Sequence, residues 1–198
     1  MHLDRRDLAG LGIVALMVAV SALLYTQLPD QLAIHFGPGG EPDNYVAKPL
    51  ALAFLPGLAV AMVAMFKVLP WLDPLGENIA EFQRYYDLIA VFVVGVLAYV
   101  HGLVLAWNLG YDFSMTQAVV PLLAVTYYVV GVVIENAEQN WFVGIRTPWT
   151  LSNEEVWRRT HERTAILFKL AGVVALGALV VPSWFAVLAI GPIAVAAV

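Results

Sequence analysis

The sequence contains no cysteine, which excludes disulfide bonds and metal sites built on thiolate ligands. Charged residues are also scarce, at 13% of 198 residues, against about 25% in an average soluble domain. Hydrophobic residues make up 61% of the chain, so too few polar side chains remain to cover a soluble globule. The net charge of −5 gives no reason to expect direct binding of nucleic acid. The composition therefore predicts a protein that is surrounded by lipid.

Motifs for catalysis are missing as well. The sequence has no HExxH pattern, no phosphate-binding loop and no nucleophile elbow, and it contains only four histidines. We therefore predict no enzymatic activity and no cofactor. Isolated pairs such as His35 with Asp43, or Arg146 with His161, leave a membrane-embedded metal-dependent enzyme as the least favoured alternative.

Long apolar runs are what the sequence has in abundance. A helix needs about 20 residues to cross a hydrocarbon core of about 30 Å. The pattern predicts an all-α polytopic membrane protein, a six-helix transmembrane bundle in which residues 1–198 form a single membrane domain. The six segments that qualify or nearly qualify are Leu8–Leu28, Leu50–Leu69, Leu88–Leu109, Met115–Ile134, Thr164–Val181 and Trp184–Val198.

The basic residues are distributed unequally between the two predicted sides. Six spans place both termini on one side, which carries nine of the ten basic residues, and only Lys48 lies on the other. The positive-inside rule then predicts a multi-pass protein of the cell membrane with both termini cytoplasmic. Residues 29–48 form an extracytoplasmic loop in this topology. Residues 136–163 form a cytoplasmic loop with a helix extension.

The extracytoplasmic loop contains turn signals and several ionisable residues. The run Gly37–Gly40 forces tight turns, and the stretch Gln31–Phe36 is either short and extended or lies on the surface of the bundle. Histidine and carboxylates here leave open a metal site, although their spacing matches no familiar ligand pattern and hydrogen bonding that holds the loop shut is the simpler explanation. We prefer a peptide-binding or lid role and predict no metal. The candidate binding residues are His35, Glu41, Asp43 and Lys48, of which the first three form the alternative metal site.

The cytoplasmic loop contains the most unusual stretch of the chain, Asn140–His161, here called the signature segment. It packs three Trp, three Arg and a Thr-Pro step into 22 residues, an order that mere anchoring to lipid does not need. Ser152 followed by Glu155 fits a capping box, which predicts a helix that continues into the fifth span. Two i,i+4 ion pairs are predicted on it, Glu154–Arg158 and Glu155–Arg159. The candidate site residues are Asn140, Trp141, Phe142, Gly144, Arg146, Thr147, Pro148, Trp149, Ser152, Glu155, Trp157 and His161.

Two ionisable residues lie within or at the end of predicted spans. His101 is near the centre of the third span, and Glu135 is at the cytoplasmic end of the fourth. Such residues are costly in a membrane and often functional, so a transporter of small solutes or one coupled to protons is an alternative function. The paired acids and broken helices typical of a midplane transport site are missing.

The signature segment, NWFVGIRTPWTLSNEEVWRRTH, closely resembles the signature of the bacterial and archaeal membrane immunity proteins that protect cells from the secreted sporulation-delaying toxin. The outer loop resembles the domain of unknown function that begins many of these proteins. The matching residues there are Leu28-Pro29, Ile34-His35-Phe36, Gly40-Glu41-Pro42-Asp43 and Lys48.

This resemblance implies a six-span protein in contact with membrane lipid that gives resistance to a secreted, membrane-active peptide toxin. In the prototype system it also implies signal transduction, in which a cytoplasmic transcriptional repressor is held at the membrane. One departure concerns Glu135–Gln139, which is short and acidic where relatives tend to carry a longer basic or proline-bearing stretch. The family has no settled catalytic residues, so none is carried over.

Overall fold

The structure is a computed structural model that describes residues 3–37 and 39–192. Within these residues, five helices are long and apolar enough to cross a membrane. The expectation of a mostly helical, multi-pass membrane protein is confirmed. The five are α1 (Arg5–Leu24), α2 (Lys48–Leu72), α4 (Gln83–Asn108), α5 (Met115–Glu135) and Glu154–Val180, which consists of α7 (Glu154–Ala175) and α8 (Gly177–Val180).

The remaining helical elements are short. They are α3 (Gly76–Glu81) and α6 (Pro148–Ser152), followed at the end of the chain by a 3-10 turn (Pro182–Trp184) and a π-helical turn (Ala186–Ile190). The predicted sixth span, Trp184–Val198, falls partly outside the described residues, because the structure describes the chain only to residue 192. The count of six spans and the cytoplasmic position of both termini stay predictions.

Two helices extend well beyond the apolar runs that predicted them. The helix α4 begins at Gln83 rather than Leu88, and α7 begins at Glu154 rather than Thr164. Helical hydrogen bonds continue through polar residues, so an apolar run marks the part of a helix suited to lipid and not its full length. The helix α7 thus begins within the signature segment.

The predicted extracytoplasmic loop folds as a β-hairpin, which is the departure from an all-α architecture. The strands β1 (Gln31–Phe36) and β2 (Pro42–Ala47) pair antiparallel, and the amide of Gly40 donates to the carbonyl of Gly37 at 2.9 Å in the turn. Pro38, one of the predicted turn residues, lies outside the described residues. Leu32 is fully buried among apolar residues of α2 and α4, and this contact seats the hairpin on the helices.

The chain divides into two compact units, the first of which comprises residues 1–67 and 90–118. Its apolar core includes Val14, Met17, Ala59 and Val94. Near the start of α1 the buried carboxylate of Asp7 forms ion pairs with Arg6 and Lys67. These pairs fasten α1 to α2 at one end of the unit.

The second unit comprises residues 68–89 and 119–198. Its core includes Ala124 and Tyr127 of α5 together with Ala171 and Ala175 of α7. The two helices approach so closely at Gly172 that a Cβ there would lie 2.6 Å from the carbonyl oxygen of Ala124. Small residues at a contact allow such close packing in membrane proteins. This unit contains the whole signature segment.

Candidate functional site

The side chain of Asn140 organises the first part of the signature segment. Its Nδ2 donates to the carbonyls of Glu138 and Val143, at 2.8 and 2.9 Å. Its Oδ1 accepts from the amides of Phe142 and Val143, at 2.9 and 2.6 Å. The side chain is fully buried. Its amide nitrogen donates two hydrogen bonds and its oxygen accepts two, so these four bonds satisfy backbone groups of the turn that no helix or sheet satisfies.

His161 joins the far end of the segment to this turn. Its Nε2 accepts from the amide of Ile145 at 2.9 Å, and its Nδ1 lies 2.8 Å from the carbonyl oxygen of Trp157. A carbonyl can only accept, so the proton is on Nδ1 and the ring is neutral. Both ring nitrogens of His161 are therefore hydrogen-bonded to the backbone. The acid-base pair of His161 with Arg146 that the sequence suggested would need a free ring nitrogen, and His161 has none.

Gly144 allows the backbone to pass directly over this histidine. It has a φ of +119°, and a Cβ at this position would collide with Nε2 of His161 and lie 3.1 Å from two ring atoms of Trp157. Only glycine meets both demands without strain. The requirement for glycine in the signature pattern is therefore steric as well as conformational.

Trp157 forms the buried base of the segment. Its ring stacks on that of His161, with centroids 4.0 Å apart, and its Nε1 donates to the carbonyl of Ala137 at 2.7 Å. The side chain is 3% exposed, so it serves packing and one specific hydrogen bond rather than lipid contact. The tie to Ala137 joins the two ends of the loop.

The helix starts inside the segment differ from the predicted capping box. Thr147 caps α6, with Pro148 in the first turn, and Asn153 caps α7 by accepting from the amide of Val156 at 3.0 Å. The predicted cap, Ser152, is the last residue of α6, and its hydroxyl donates to the carbonyl of Trp149. Because α6 occupies the residues up to Ser152, only the next residue is free to adopt the extended backbone of a cap.

The ion pairs on α7 agree in part with those predicted. Arg159 bonds to Glu155 at 2.5 Å, as expected. Arg158 does not pair with Glu154 but with Glu155 at 2.8 Å and with Glu162 at 2.7 Å. All four side chains are about half exposed, so these pairs keep the helix surface ordered without adding much stability.

Residues far away in the sequence hold the segment in place. Asp73, at the end of α2, accepts from the amide of Trp141 at 2.9 Å, and Asn78 of α3 donates to the carbonyl of Gln139 at 2.7 Å. Sequence reasoning missed both residues, since nothing in their own neighbourhood indicates a partner more than 60 residues away. It also missed Thr150, although a threonine three residues after Thr147 fits a capping box.

The other predicted residues of the segment lie nearer its surface. Trp149 is 71% and Trp141 48% exposed, and the guanidinium of Arg146 donates to the carbonyl of Trp141 at 2.7 Å. Phe142 is half-buried. The segment is thus a rigid interior of hydrogen bonds that presents two tryptophans and several arginines outward.

A cavity of about 370 Å³ opens beside the segment, between residues 135–139 and the first turns of α7. Trp157 and His161 lie against it, and four glutamates line it. Lys169 pairs with Glu135, and arginines pair with Glu155, whereas Glu138 and Glu154 are exposed. The lining therefore carries a surplus of negative charge. The four glutamates are Glu135, Glu138, Glu154 and Glu155.

The candidate residues of the hairpin do not form a metal centre. His35 and Asp43 face each other across the strands, with Nδ1 and Oδ1 2.5 Å apart, but no group of three metal ligands occurs in residues 3–37 and 39–192. Glu41 therefore does not complete the metal site that the sequence left open. Lys48 points its ammonium group at the carbonyls of Leu28 and Tyr25, at 2.8 and 3.3 Å, which makes it an anchor for the hairpin.

The two intramembrane candidates have ordinary partners. His101 is buried, and its Nε2 lies 2.8 Å from the hydroxyl of Ser21. Glu135 forms an ion pair with Lys169. Each residue thus has a role within its own helix pair, and neither contact favours transport over packing.

Two parts of the chain match known protein families. Residues 136–198 match the SdpI/YfhL protein family, and residues 12–60 match a domain of unknown function, DUF1648. Among curated proteins, the Immunity protein SdpI of Bacillus subtilis (strain 168) is 25% identical over 154 residues, which are 78% of this chain and 72% of that protein. No solved structure matches the chain. The resemblance to membrane immunity proteins is therefore confirmed.

Proposed function

We propose that this chain is an immunity protein of the cell membrane that gives resistance to a secreted, membrane-active peptide toxin. The match of residues 136–198 to the SdpI/YfhL family and the similarity to an immunity protein support this proposal. The observation that carries this proposal is that the matched residues build a specific, rigid structure. Asn140, Gly144, Trp157 and His161 are held to one another by contacts that lipid anchoring does not require. We expect no catalytic role, because these side chains use their polar atoms on the backbone.

In this proposal the signature segment faces the cytoplasm, as the distribution of basic residues predicts. Its exposed tryptophans, Trp141 and Trp149, would then lie at the level of the lipid headgroups, where tryptophan is enriched. The hairpin faces outward and makes the first contact with the toxin.

We further propose that the cytoplasmic face recruits a repressor protein once toxin is bound. The surplus of carboxylates around the cavity supports this role, because a DNA-binding protein presents a basic surface to phosphates and would present it equally to carboxylates. Exposed Glu138 and Glu154 are available for such a contact.

Protection of sensitive cells tests the immunity function. The chain is expressed in a bacterium that lacks its own immunity protein, and survival is measured against increasing sporulation-delaying toxin. We expect survival with the native chain, loss of survival with Asn140→Ala, and no change with Asn136→Ala, whose amide bonds a single carbonyl at the end of its own helix. Equal sensitivity of cells with and without the native chain would refute the proposal.

Membrane fractionation tests the repressor role separately. Toxin-treated cells are fractionated, and DNA-binding proteins in the membrane pellet are identified by mass spectrometry. We expect one such protein to be retained with the native chain and released by the double variant Glu138→Gln/Glu154→Gln. Retention that does not depend on toxin or on these carboxylates would contradict this role while leaving immunity intact.

A further inference from the structure

The hairpin has two outer edges. Bonded and non-bonded residue pairs alternate along the two strands, and this alternation shows which residues direct their backbone N–H and C=O groups toward an outer edge. The amide of Lys48 donates to the carbonyl of Asp30 at 2.8 Å, so this pair bonds across the hairpin. In an antiparallel ladder, bonded and non-bonded pairs alternate. The pairs Gln31–Ala47 and Ala33–Tyr45 are therefore non-bonded, and their N–H and C=O groups point away from the partner strand.

The outer edge of β1 is already occupied by a side chain. The amide of Ala33 donates to Oδ1 of Asn108 at 2.9 Å, and Nδ2 of Asn108 donates back to the carbonyl of Ala33 at 3.0 Å. The same Nδ2 donates to the carbonyl of Val104 at 2.8 Å, which fixes the carboxamide on α4. Asn108 thus takes the place of a peptide group of a third strand and closes this edge.

Among the described residues, the outer edge of β2 carries no side chain comparable to Asn108. Tyr45 lies directly opposite Ala33, so the same alternation directs its N–H and C=O outward. Its side chain is 53% exposed, as expected on an uncovered strand. Edge strands are usually protected by charge, proline or a bulge, and here Pro42 and the irregular pairing near His35 protect only the turn end. The N–H and C=O of Tyr45 and the N–H of Ala47 remain available, whereas the C=O of Ala47 begins the hydrogen bonding of α2.

We propose that this edge of β2 binds an extended, basic segment of a peptide, which adds to the hairpin as a third strand. The proposal rests on the immunity function, because it assigns the toxin's contact to backbone atoms of Tyr45 and Ala47. Strand addition supplies affinity through main-chain hydrogen bonds and requires an extended ligand.

The charges around the hairpin favour a basic segment. Glu41 is exposed and Asp43 is half exposed. Asp30 is also exposed, with its carboxylate 3.5 Å from the ammonium group of Lys48, whose side chain is only 11% exposed and which also points at backbone carbonyls. His35 is engaged with Asp43. The exposed charge of this surface is therefore negative, which attracts Lys and Arg side chains and steers encounter with a cationic peptide.

Amide hydrogen exchange provides the direct test. The full chain in lipid nanodiscs is exchanged with and without saturating synthetic sporulation-delaying toxin. We expect exchange to slow at least about tenfold at the amides of Tyr45 and Ala47, since both gain an acceptor. The amide of Ala33, bonded to Asn108, and the amide of Val46, which the alternation directs at the partner strand, serve as internal controls and change little. Unchanged exchange at Tyr45 and Ala47 at saturation, or no binding at all, overturns the proposal.

A proline scan of the two edges separates backbone contact from side-chain contact. Tyr45→Pro removes an N–H that the hairpin itself does not use, so it is compatible with the fold. We expect it to weaken peptide binding about tenfold or more through the lost bond. Tyr45→Ala keeps the N–H and retains most of the binding, and Gln31→Pro on the closed edge has no effect.

Equal weakening by Tyr45→Pro and Tyr45→Ala would mean that the side chain, not the backbone, binds the peptide, and this overturns the proposal. The outcome is distinct from failure of the immunity function. Cells that carry Tyr45→Pro and remain fully resistant would exclude the strand contact while immunity stands.

Discussion

Replacement of Gly144 by alanine is the most informative single change in the signature segment. A residue with a side chain at positive φ costs about 1–3 kcal/mol in backbone strain. The added Cβ also displaces Nε2 of His161, which leaves the amide of Ile145 without its acceptor, at a further cost of about 1–3 kcal/mol. The two effects together predict a loss of roughly 2–6 kcal/mol.

Thermal unfolding of the purified protein in detergent, followed by tryptophan fluorescence, measures this loss. The control is Gly102→Ala, because a Cβ at Gly102 meets no described atom within 4 Å apart from its own helix backbone; within α4 alanine should itself add about 0.5–1 kcal/mol. Exchange of the Ile145 amide gives a local readout and should accelerate in Gly144→Ala alone. A stability within about 0.5 kcal/mol of the control, the range of ordinary surface substitutions, would refute the steric explanation.

Three further changes test other contacts of the fold by the same unfolding assay. Asn153→Ala removes the cap of α7 and should cost about 1 kcal/mol, whereas Ser152→Ala should be nearly neutral; the reverse order would restore the capping box predicted from sequence. Asp7→Asn leaves two cations poorly compensated and should cost about 3–5 kcal/mol, against little for the exposed Asp4→Asn; equal losses would mean that the cluster is not buried. Trp157→Phe keeps the stacking but loses the indole hydrogen bond, with an expected loss of about 1–3 kcal/mol, whereas the same change at the exposed tryptophan of α6 should be silent.

Much of the helical architecture could be predicted from sequence, because apolar runs report directly on a lipid environment. The helix starts were harder. The pattern Ser152-x-x-Glu155 is a valid capping signal. However, Thr147 and Pro148 start a short helix, and Ser152 is its last residue and therefore cannot cap the next helix. The helix that starts after Thr147 ends at Ser152, so the cap of the following helix is the next residue, Asn153.

Contacts between distant parts of the chain could not be predicted. The sequence marked Asn140 and His161 as unusual, but it gave no sign that Asp73 would bind the amide of Trp141. The pairing of Asn108 with Ala33, 75 residues away, is of the same kind. Such bonds depend on how helices pack, and packing leaves no periodic trace in the sequence.

The hydrogen bond from Trp157 to the carbonyl of Ala137 has a consequence for the length of the segment. It closes a ring of backbone between two residues 20 positions apart, and the bond of His161 to Ile145 closes a second ring, over 16 positions, that overlaps the first. Rings of this kind tolerate new side chains on their outer face but not one residue more or less. A single insertion would move Gly144 away from the ring of His161, or would move Asn153 away from the first turn of α7, which it caps. The spacing of the motif is therefore fixed by its interior, while its surface side chains are free to vary.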